Sequence, residues 1–114
     1  MNIFILEDNK ERMKIFRRNL IGNIIFHSDN VENAKKILLE ESIDVIFLDH
    51  DLDDRVYVDS NELNTGYQLA KWIFENNIKY SRVIVHSLND VGRKNIKYIL
   101  KDAELIPFTM LFLQ

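Results

Sequence analysis

Five short apolar runs alternate along the chain with four segments in which apolar residues recur every three or four positions. Runs of the first kind predict strands, and the recurring pattern predicts amphipathic helices. The predicted strands are Asn2–Leu6, 24–26, 43–48, Arg82–Val85 and 103–108. This alternation of strand and helix predicts an α/β fold with a parallel sheet, right-handed crossovers and helices on both faces.

Each predicted helix has one apolar stripe that faces the sheet and polar residues at its start. The starts are at Asp8 or Asn9, at Ser28, Asp29 or Asn30, at Thr65-Gly66, and at Asn89 or Asp90. The stripes are Met13, Phe16 and Leu20; Val31, Ala34 and Leu38; Leu69, Ala70 and Ile73; and Ile96, Ile99 and Leu100.

The chain has little room after the fifth predicted strand. A fold of this kind normally places a fifth helix there, and residues 109–114 are too few for one. Because residues 110–113 are apolar, we expect one face or edge of the sheet to be incompletely covered. Either the tail folds back over that surface, or a second copy of the chain covers it in a homodimer.

The composition is that of one globular domain over residues 1–114, with 46% hydrophobic and 29% charged residues. A net charge of −3 predicts no surface for duplex DNA and leaves room for a local basic cluster. The chain has no cysteine, hence no disulfide framework or thiolate site, which suits a reducing cytoplasm. We expect no signal peptide, and residues 105–113 are too short an apolar stretch to span a bilayer. The expectation is a cytoplasmic protein without a membrane partner.

Polar residues follow three predicted strands at the point where each strand ends. They are Glu7-Asp8-Asn9 after the first, Asp49-His50-Asp51 after the third, and His86-Ser87-Leu88-Asn89 after the fourth. Ligands bind beyond the carboxyl ends of parallel strands, so these groups converge in one crevice if the three strands are neighbours. Clustered carboxylates repel one another unless a cation neutralises them, and oxygen ligands suit Mg²⁺. The helix N-termini beside them favour a phosphate.

A structural role is the alternative for most of these residues. Glu7 and Asp8 also fit helix capping, and so does Asn89. Asp49 is different, because a carboxylate directly after an apolar strand is costly without a partner. The polar segment 50–64 is long for a loop in a compact domain, and loops of that length are usually functional.

Over essentially its whole length the chain resembles the receiver domains of two-component response regulators. Glu7-Asp8 resemble their acidic pair, Asp49 the phospho-accepting aspartate, Ser87 the hydroxyl residue after the fourth strand, and Pro107-Phe108 the end of the fifth. The resemblance implies a flavodoxin-like, five-stranded parallel sheet of order 2-1-3-4-5. It also implies that the acidic pair and the acceptor aspartate bind a divalent metal, Mg²⁺ first and Mn²⁺ as the alternative.

The chain departs from ordinary receivers in several ways. Ile106 stands where they carry the lysine that pairs with the phosphate. Their proline shortly after the acceptor is absent, the loop after Asp49 is longer, and the fifth helix is missing. These departures argue against an ordinary phospho-relay role.

The sequence is more similar to a divergent group, the cyclic-phosphate-processing receiver domains. Three segments carry the similarity: the Leu-Asp-His-Asp-Leu stretch 48–52, the Asn-Thr-Gly stretch 64–66, and the His-Ser-Leu-Asn stretch 86–89. The similarity implies action on a cyclic phosphate, either the 2′,3′-cyclic end of an RNA or a cyclic nucleotide.

We therefore predict a metal-dependent hydrolase of the phosphoesterase type. A histidine exchanges protons near neutral pH, so His50 or His86 is predicted to protonate the leaving sugar oxygen, with Asp51 orienting one of them. The predicted catalytic residues are Asp49, His50, Asp51 and His86; the predicted substrate-binding residues are Ser87, Asn89 and Thr65; the predicted metal ligands are Glu7, Asp8 and Asp49. The expected partner is a phosphorylated small molecule, a cyclic nucleotide or an RNA end.

Two functions of other classes stay open. The first is a signalling receiver that accepts phosphate on Asp49 and regulates a partner. The second is a non-catalytic binder that sequesters a cyclic nucleotide or another protein.

Overall fold

Five parallel strands with helices on both faces make up the computed structural model, which describes residues 1–113. In chain order the elements are β1 (Asn2–Leu6), α1 (Lys10–Asn19), β2 (Ile24–Ser28), α2 (Val31–Glu40), β3 (Val45–Leu48), α3 (Gly66–Glu75), β4 (Arg82–Val85), α4 (Asp90–Ile99), β5 (Glu104–Leu105) and α5 (Phe108–Leu111). The strand order is β2-β1-β3-β4-β5, and every neighbouring pair is parallel. The predicted fold class and strand order are confirmed.

The three central strands are buried on both faces, as their continuous apolar sequences predict. Alternate residues point to opposite sides of a strand. Phe4, Ile46 and Val83 therefore pack on one face with α2, α3 and α4, whereas Ile5 and Phe47 pack on the other with α1. The carboxyl ends of the central strands thus lie between two packed apolar layers.

Several boundaries differ from the prediction for local physical reasons. β5 contains two residues instead of the predicted 103–108, because Pro107 has no N–H and directly precedes α5. Its backbone still pairs with β4, since the Ile106 N–H donates to the Val85 carbonyl at 3.0 Å. α3 ends at Glu75 rather than at 77, and Asn77 adopts a left-handed conformation with φ of 51°.

The C-terminal segment folds back over the α1 face of the sheet. In place of a full fifth helix, α5 is a single short turn of four residues. Phe108 and Phe112 lie with their ring centroids 5.5 and 5.6 Å from that of Phe16. A cavity of about 350 Å³ lined in part by Ile3, Val45 and Ile84 remains on this face. The homodimer stays a prediction.

None of the helices within residues 1–113 has the length and hydropathy needed to cross a bilayer.

Candidate functional site

The carboxyl ends of β1, β3 and β4 meet at one edge of the sheet. The hydrogen-bond ladder continues past the last strand residues, since the Asp49 N–H donates to the Leu6 carbonyl at 3.1 Å. In the same way the His86 N–H donates to the Leu48 carbonyl at 3.0 Å. This pairing brings together Glu7, Asp49 and His86, one from each of three segments far apart in sequence.

Glu7, Asp49 and His86 form a buried cluster beneath this edge. Their ligand atoms all lie within 4.8 Å of one another, and all three residues are buried. His86 Nε2 lies 3.0 Å from Glu7 Oε1, while Glu7 Oε2 accepts bonds from the N–H groups of Asp8 and Asn9 at 3.1 Å. The cluster therefore offers two carboxylates and an imidazole to a single centre.

The electrostatics of the cluster suit a divalent cation. Burial raises the pKa of Asp49 to about 7 and also raises the pKa of Glu7. Burial lowers the pKa of His86 to about 4, so its imidazole is neutral at neutral pH. Among the described residues, His86 Nδ1 is a buried side-chain nitrogen with no hydrogen-bond partner. Two carboxylates and a neutral imidazole gathered around one point fit the ligand chemistry of a metal ion.

Arg12 supplies a positive charge at the site that the polar residues at the strand ends did not predict. Its Nη1 lies 3.8 Å from Glu7 Oε1 and 3.8 Å from Asp49 Oδ2. Its guanidinium stacks over the ring of Phe108 at 5.3 Å from the centroid. Ile106, at the position of the receiver lysine, instead packs into the core beside α1. Arg12 thus brings a cation to Asp49 from a different direction.

A sequence signal for Arg12 existed. Side chains of a helix lean toward its N-terminus, and Arg12 lies in the first turn directly after the acidic strand end. A basic residue at that place can reach back to the carboxylates.

A cavity of about 250 Å³ opens above Asp49. The cavity is lined by Asp8, Asn9, Arg12, Asp49, Asp51, Asp54, Arg55, Val56, Tyr57, Ser87, Leu88 and Asn89. Neither His50 nor His86 is part of the wall, and both side chains are fully buried. The histidines predicted to donate a proton therefore lie behind the cavity surface in this conformation.

Asp8 lies in the cavity wall and is absent from the buried cluster of Glu7, Asp49 and His86. Its Oδ2 accepts a hydrogen bond of 2.6 Å from the Asp54 N–H. This bond ties the long loop after β3 to the end of β1. Of the three predicted metal ligands, the fold brings Glu7 and Asp49 together with His86 and places Asp8 at the surface above them.

The loop carries an unusual number of left-handed residues. Asp53, Asp54 and Tyr57 have φ of 62°, 56° and 53°. This conformation is unfavourable for residues other than glycine by roughly 1–2 kcal/mol each. The loop forms one wall of the cavity, through Asp54 to Tyr57, so its strained backbone is held where a ligand would bind.

His50 fastens this loop to α4. Its Nδ1 lies 2.7 Å from Asp51 Oδ1 and its Nε2 lies 2.7 Å from Ser60 Oγ. Because the ionised Asp51 carboxylate can only accept, Nδ1–H donates to it and Nε2 accepts from the Ser60 hydroxyl, while Ser60 Oγ accepts from Asn95 Nδ2 at 2.9 Å. A Cβ at Gly92 would lie 2.5 Å from the imidazole ring, so only glycine allows α4 this close.

Asp51 is the anchor of the loop backbone. Besides His50, its carboxylate accepts hydrogen bonds from Asn89 Nδ2 at 3.0 Å and from the N–H groups of Tyr57 at 2.7 Å and Val58 at 3.1 Å. Burial opposes ionisation of Asp51, yet the bonds from His50, Asn89 and the two backbone amides outweigh it and lower the pKa. Asp51 is therefore an ionised structural carboxylate that also lines the cavity.

Ser87 and Asn89 both line the cavity, and they differ in how many of their side-chain hydrogen-bonding groups are already used within the protein. Asn89 caps α4, since its Oδ1 accepts from the Gly92 N–H at 2.9 Å, and its Nδ2 is engaged by Asp51. Ser87 Oγ accepts from the Asn89 N–H at 3.1 Å, which leaves its hydroxyl hydrogen available to a ligand. Ser87 is thus the better placed of the two predicted substrate-binding residues.

Thr65, the third predicted substrate-binding residue, is fully buried at the start of α3 and outside the cavity wall. Its Oγ1 accepts from the Gln68 N–H at 3.3 Å and donates to the Glu62 carbonyl at 3.0 Å. A Cβ at the following Gly66 would lie 1.8 Å from the Asp49 carbonyl oxygen. The Thr-Gly pair therefore allows α3 to begin directly against the backbone of Asp49.

Solved receiver domains share this architecture. The signal receiver domain of a putative LuxO repressor protein from Vibrio parahaemolyticus is 21% identical, with a TM-score of 0.68 over 93% of this chain and 75% of that one. The receiver domain of Francisella response regulator 1452 is 16% identical, with a TM-score of 0.72 over 96% and 84%. The MaeR response regulator bound to beryllium trifluoride is 28% identical, with a TM-score of 0.66 over 88% and 78%.

Comparison with curated proteins gives no significant match. A family model does match, over residues 3–102, and its description is cyclic-phosphate processing receiver domain. The matched range contains the whole buried cluster, Arg12 and the loop. This chain belongs to the cyclic-phosphate processing receiver domains, a family related in fold to the receivers of response regulators.

Proposed function

We propose that the protein is a metal-dependent hydrolase that opens a cyclic phosphate, on an RNA end or a nucleotide, to a phosphate monoester. Water adds to phosphorus, one phosphorus–oxygen bond of the ring breaks, and the released sugar oxygen takes up a proton. The single observation that carries the proposal is the buried cluster of Glu7, Asp49 and His86, which reaches the floor of one cavity through Asp49 beside Arg12. The family description points to the same class of substrate.

Glu7, Asp49 and His86 are the residues that would hold the ion. When bound, a divalent ion polarises phosphoryl oxygens and makes water a better nucleophile. The carboxylates suit Mg²⁺, and the imidazole adds a donor that suits Mn²⁺ or another transition metal better. Both ions therefore belong in the first assays.

The other cavity residues bind and orient the substrate. Arg12 pairs with phosphoryl oxygens through its planar fork, a geometry that lysine does not offer. The Ser87 hydroxyl donates to one of the same oxygens. We assign His50 and Asp51 to holding the loop over the bound substrate, because their polar atoms are already engaged with each other and with the loop. The predicted proton transfer by a histidine is not part of this proposal.

The test is turnover of a nucleoside 2′,3′-cyclic phosphate by the purified protein with Mg²⁺ or Mn²⁺, followed by ³¹P NMR. We expect conversion to a monoester that stops with a chelator. Asp49→Asn should lower the rate by about 100-fold or more, since even residues behind metal ligands contribute 10- to 100-fold. The matched control is Asp102→Asn, an identical chemical change at the opposite end of the strands, where Asp102 accepts a bond from the Tyr80 hydroxyl. Absence of turnover with both metals, or equal losses in the two variants, would refute the proposal.

A phospho-accepting receiver is the second candidate. It is favoured by the position of Asp49 in the cavity wall and by the likeness to a response regulator that was solved with beryllium trifluoride. In that case acetyl phosphate adds one phosphate to the intact protein, detected by mass spectrometry, and Asp49→Asn abolishes the addition. A non-catalytic binder would instead retain a cyclic nucleotide without turnover.

A further inference from the structure

One helix of this acidic protein carries a third of its basic residues and only one acidic residue. The chain has 15 basic and 18 acidic residues, and its net charge is −3. Within the ten residues of α1 there are five basic residues and one acidic residue. The basic residues are Lys10, Arg12, Lys14, Arg17 and Arg18. Such a segregated charge is the electrostatic footprint of a polyanion-binding surface.

Three of these residues line a single groove. Lys10, Lys14 and Arg17 follow one another at spacings of four and three, so they share one face of the helix. They form one side of a groove of about 250 Å³, and β2 contributes His27 to the other side. We call this the α1 groove. Arg12 and Arg18 are not part of it.

The basic side chains of the groove have few partners within the protein. Lys14 pairs with Glu11 at 3.2 Å, where both side chains are largely exposed. Among residues 1–113, neither Lys10 nor Arg17 takes part in an ion pair. All three are exposed, so their charges are available to a ligand.

The α1 groove is continuous with the candidate site. Asp8 and Asn9 line both the groove and the cavity above Asp49, so the two depressions meet along this pair. From Lys10 to Arg17 the helix rises about 10 Å. That length spans about three phosphates of a stacked strand, at about 3.4 Å per nucleotide. Asp8 and Asp29 also face the groove, so its cations outnumber its carboxylates by three to two.

We propose that the α1 groove binds the phosphate backbone of a single-stranded RNA whose 3′-terminal cyclic phosphate lies in the cavity. The inference rests on the proposed function and names its substrate class: an RNA strand in preference to a free cyclic mononucleotide. Because the cyclic phosphate is the 3′ end of such a strand, the preceding nucleotides run past Asp8 and Asn9 along Lys10, Lys14 and Arg17. A lipid surface fits less well, because the groove is concave and a bilayer surface is flat on this scale.

The test compares two neighbouring arginines of one helix. Arg17→Glu and Arg18→Glu make the same charge change in the same last turn of α1, and only Arg17 lines the groove. The ligand is a 5′-fluorescein tetraribonucleotide with a 3′-phosphate, which cannot be turned over, and binding is followed by fluorescence anisotropy. Lys10→Glu, at the other end of the groove, is a second variant if Arg17→Glu does not fold.

Salt dependence gives the expected numbers. For single strands the logarithm of the affinity falls with the logarithm of salt by about 0.7 per phosphate contact. The three groove contacts contribute a loss of about 18-fold between 50 and 200 mM KCl and two contribute about 7-fold, while the contact of the 3′-phosphate with Arg12 adds the same loss in every variant. Wild type and Arg18→Glu should show the larger loss. Arg17→Glu should show the smaller one, together with binding at 50 mM that is at least threefold weaker.

Three results would overturn the inference: equal effects of the two arginine variants, binding of the tetranucleotide no tighter than that of a nucleoside 3′-phosphate, or Arg17-dependent binding to phosphatidylserine vesicles without RNA binding. Its failure is distinguishable from failure of the proposed function. Turnover of the cyclic mononucleotide without any gain from a longer strand refutes the groove alone. Tight, Arg17-dependent binding of the tetranucleotide with no turnover of any cyclic phosphate supports the groove and refutes the hydrolase.

Discussion

Asn in place of Asp49 should stabilise the metal-free protein at neutral and alkaline pH. Asp49 is buried beside Glu7, and its burial raises its pKa from the ordinary 3.8 to about 7. The folded protein therefore holds this proton to higher pH than the unfolded chain does. The resulting stabilisation is present below pH 3.8 and is lost as the pH rises through 7.

The size of the effect follows from the two pKa values. The interval between 3.8 and about 7 corresponds to about 4 kcal/mol, at about 1.4 kcal/mol per pKa unit. Asparagine has the same shape and keeps the bond of 2.8 Å that Asp49 Oδ1 accepts from the His50 N–H. The ion pair with Arg12, whose side chain is 27% exposed, stabilises the ionised form of Asp49 by at most about 1 kcal/mol and so reduces the difference between the two proteins. Above pH 7 we expect Asp49→Asn to exceed wild type by about 3 kcal/mol, and near pH 4 by little.

The assay is urea denaturation between pH 4.5 and 8.5 with a chelator present, repeated with Mn²⁺. The divalent ion should reverse the order of stability, because wild type gains about 4.1 kcal/mol at a free ion concentration of 1,000 times Kd and the variant does not. Asp102→Asn serves as the control. The difference in free energy of unfolding between this variant and wild type should be the same with a chelator and with Mn²⁺, and across the pH range. A difference between Asp49→Asn and wild type that does not change with pH would refute the reasoning, since burial of an ionised carboxylate would then carry no penalty here.

Substitutions at three further positions test the remaining contacts. Arg12→Lys should lower kcat/KM for a cyclic phosphate by about tenfold and Arg12→Gln by more, because the planar fork and then the charge are lost; equal activity of wild type and Arg12→Gln in steady-state kinetics would exclude Arg12 from the site. Gly66→Ala should destabilise the protein by about 3 kcal/mol in urea denaturation, because its Cβ would meet the Asp49 carbonyl oxygen at 1.8 Å and backbone cannot move aside easily; a loss below about 1 kcal/mol would contradict the close approach of α3. Thr65→Ala should cost about 1 kcal/mol as a lost helix cap, with Thr65→Ser restoring most of it in the same denaturation assay; a kinetic defect at unchanged stability would instead favour substrate contact.

Periodicity was sufficient to predict the sheet and its helices. The strands β1 and β4 have the predicted bounds, and the buried stripes of α1 to α4 contain the predicted residues Phe16, Ala34, Ile73 and Ile96. Element ends were harder, because they depend on single backbone conformations such as that of Asn77. Sequence alone could not decide between a folded-back tail and a second copy, since both cover the same apolar residues.

The candidate site was only partly visible in the sequence. The strand ends predicted which groups would meet, because parallel strands bring their carboxyl ends together. They did not predict the inward rotation of Glu7 or the engagement of both His50 nitrogens, since each depends on tertiary partners such as Ser60. Arg12 was overlooked for a different reason: the strand-end pattern does not consider basic residues in the first turn of the following helix, which is where the signal for Arg12 lies.

Asp8 holds the loop through its bond from the Asp54 N–H and also places a negative charge above the buried cluster. The shape of the cavity and its affinity for a cation therefore both depend on Asp8. Any replacement of Asp8 alters the charge above the cluster and at the same time removes the hydrogen bond that ties the loop to the end of β1, so selectivity and ion affinity will change together. Val56 is a better position for changing substrate preference, because this residue lines the cavity and is 77% exposed. Substitutions at Val56 would change the contacts with a ligand and leave in place the carboxylates of Asp8 and Asp51, which hold the loop.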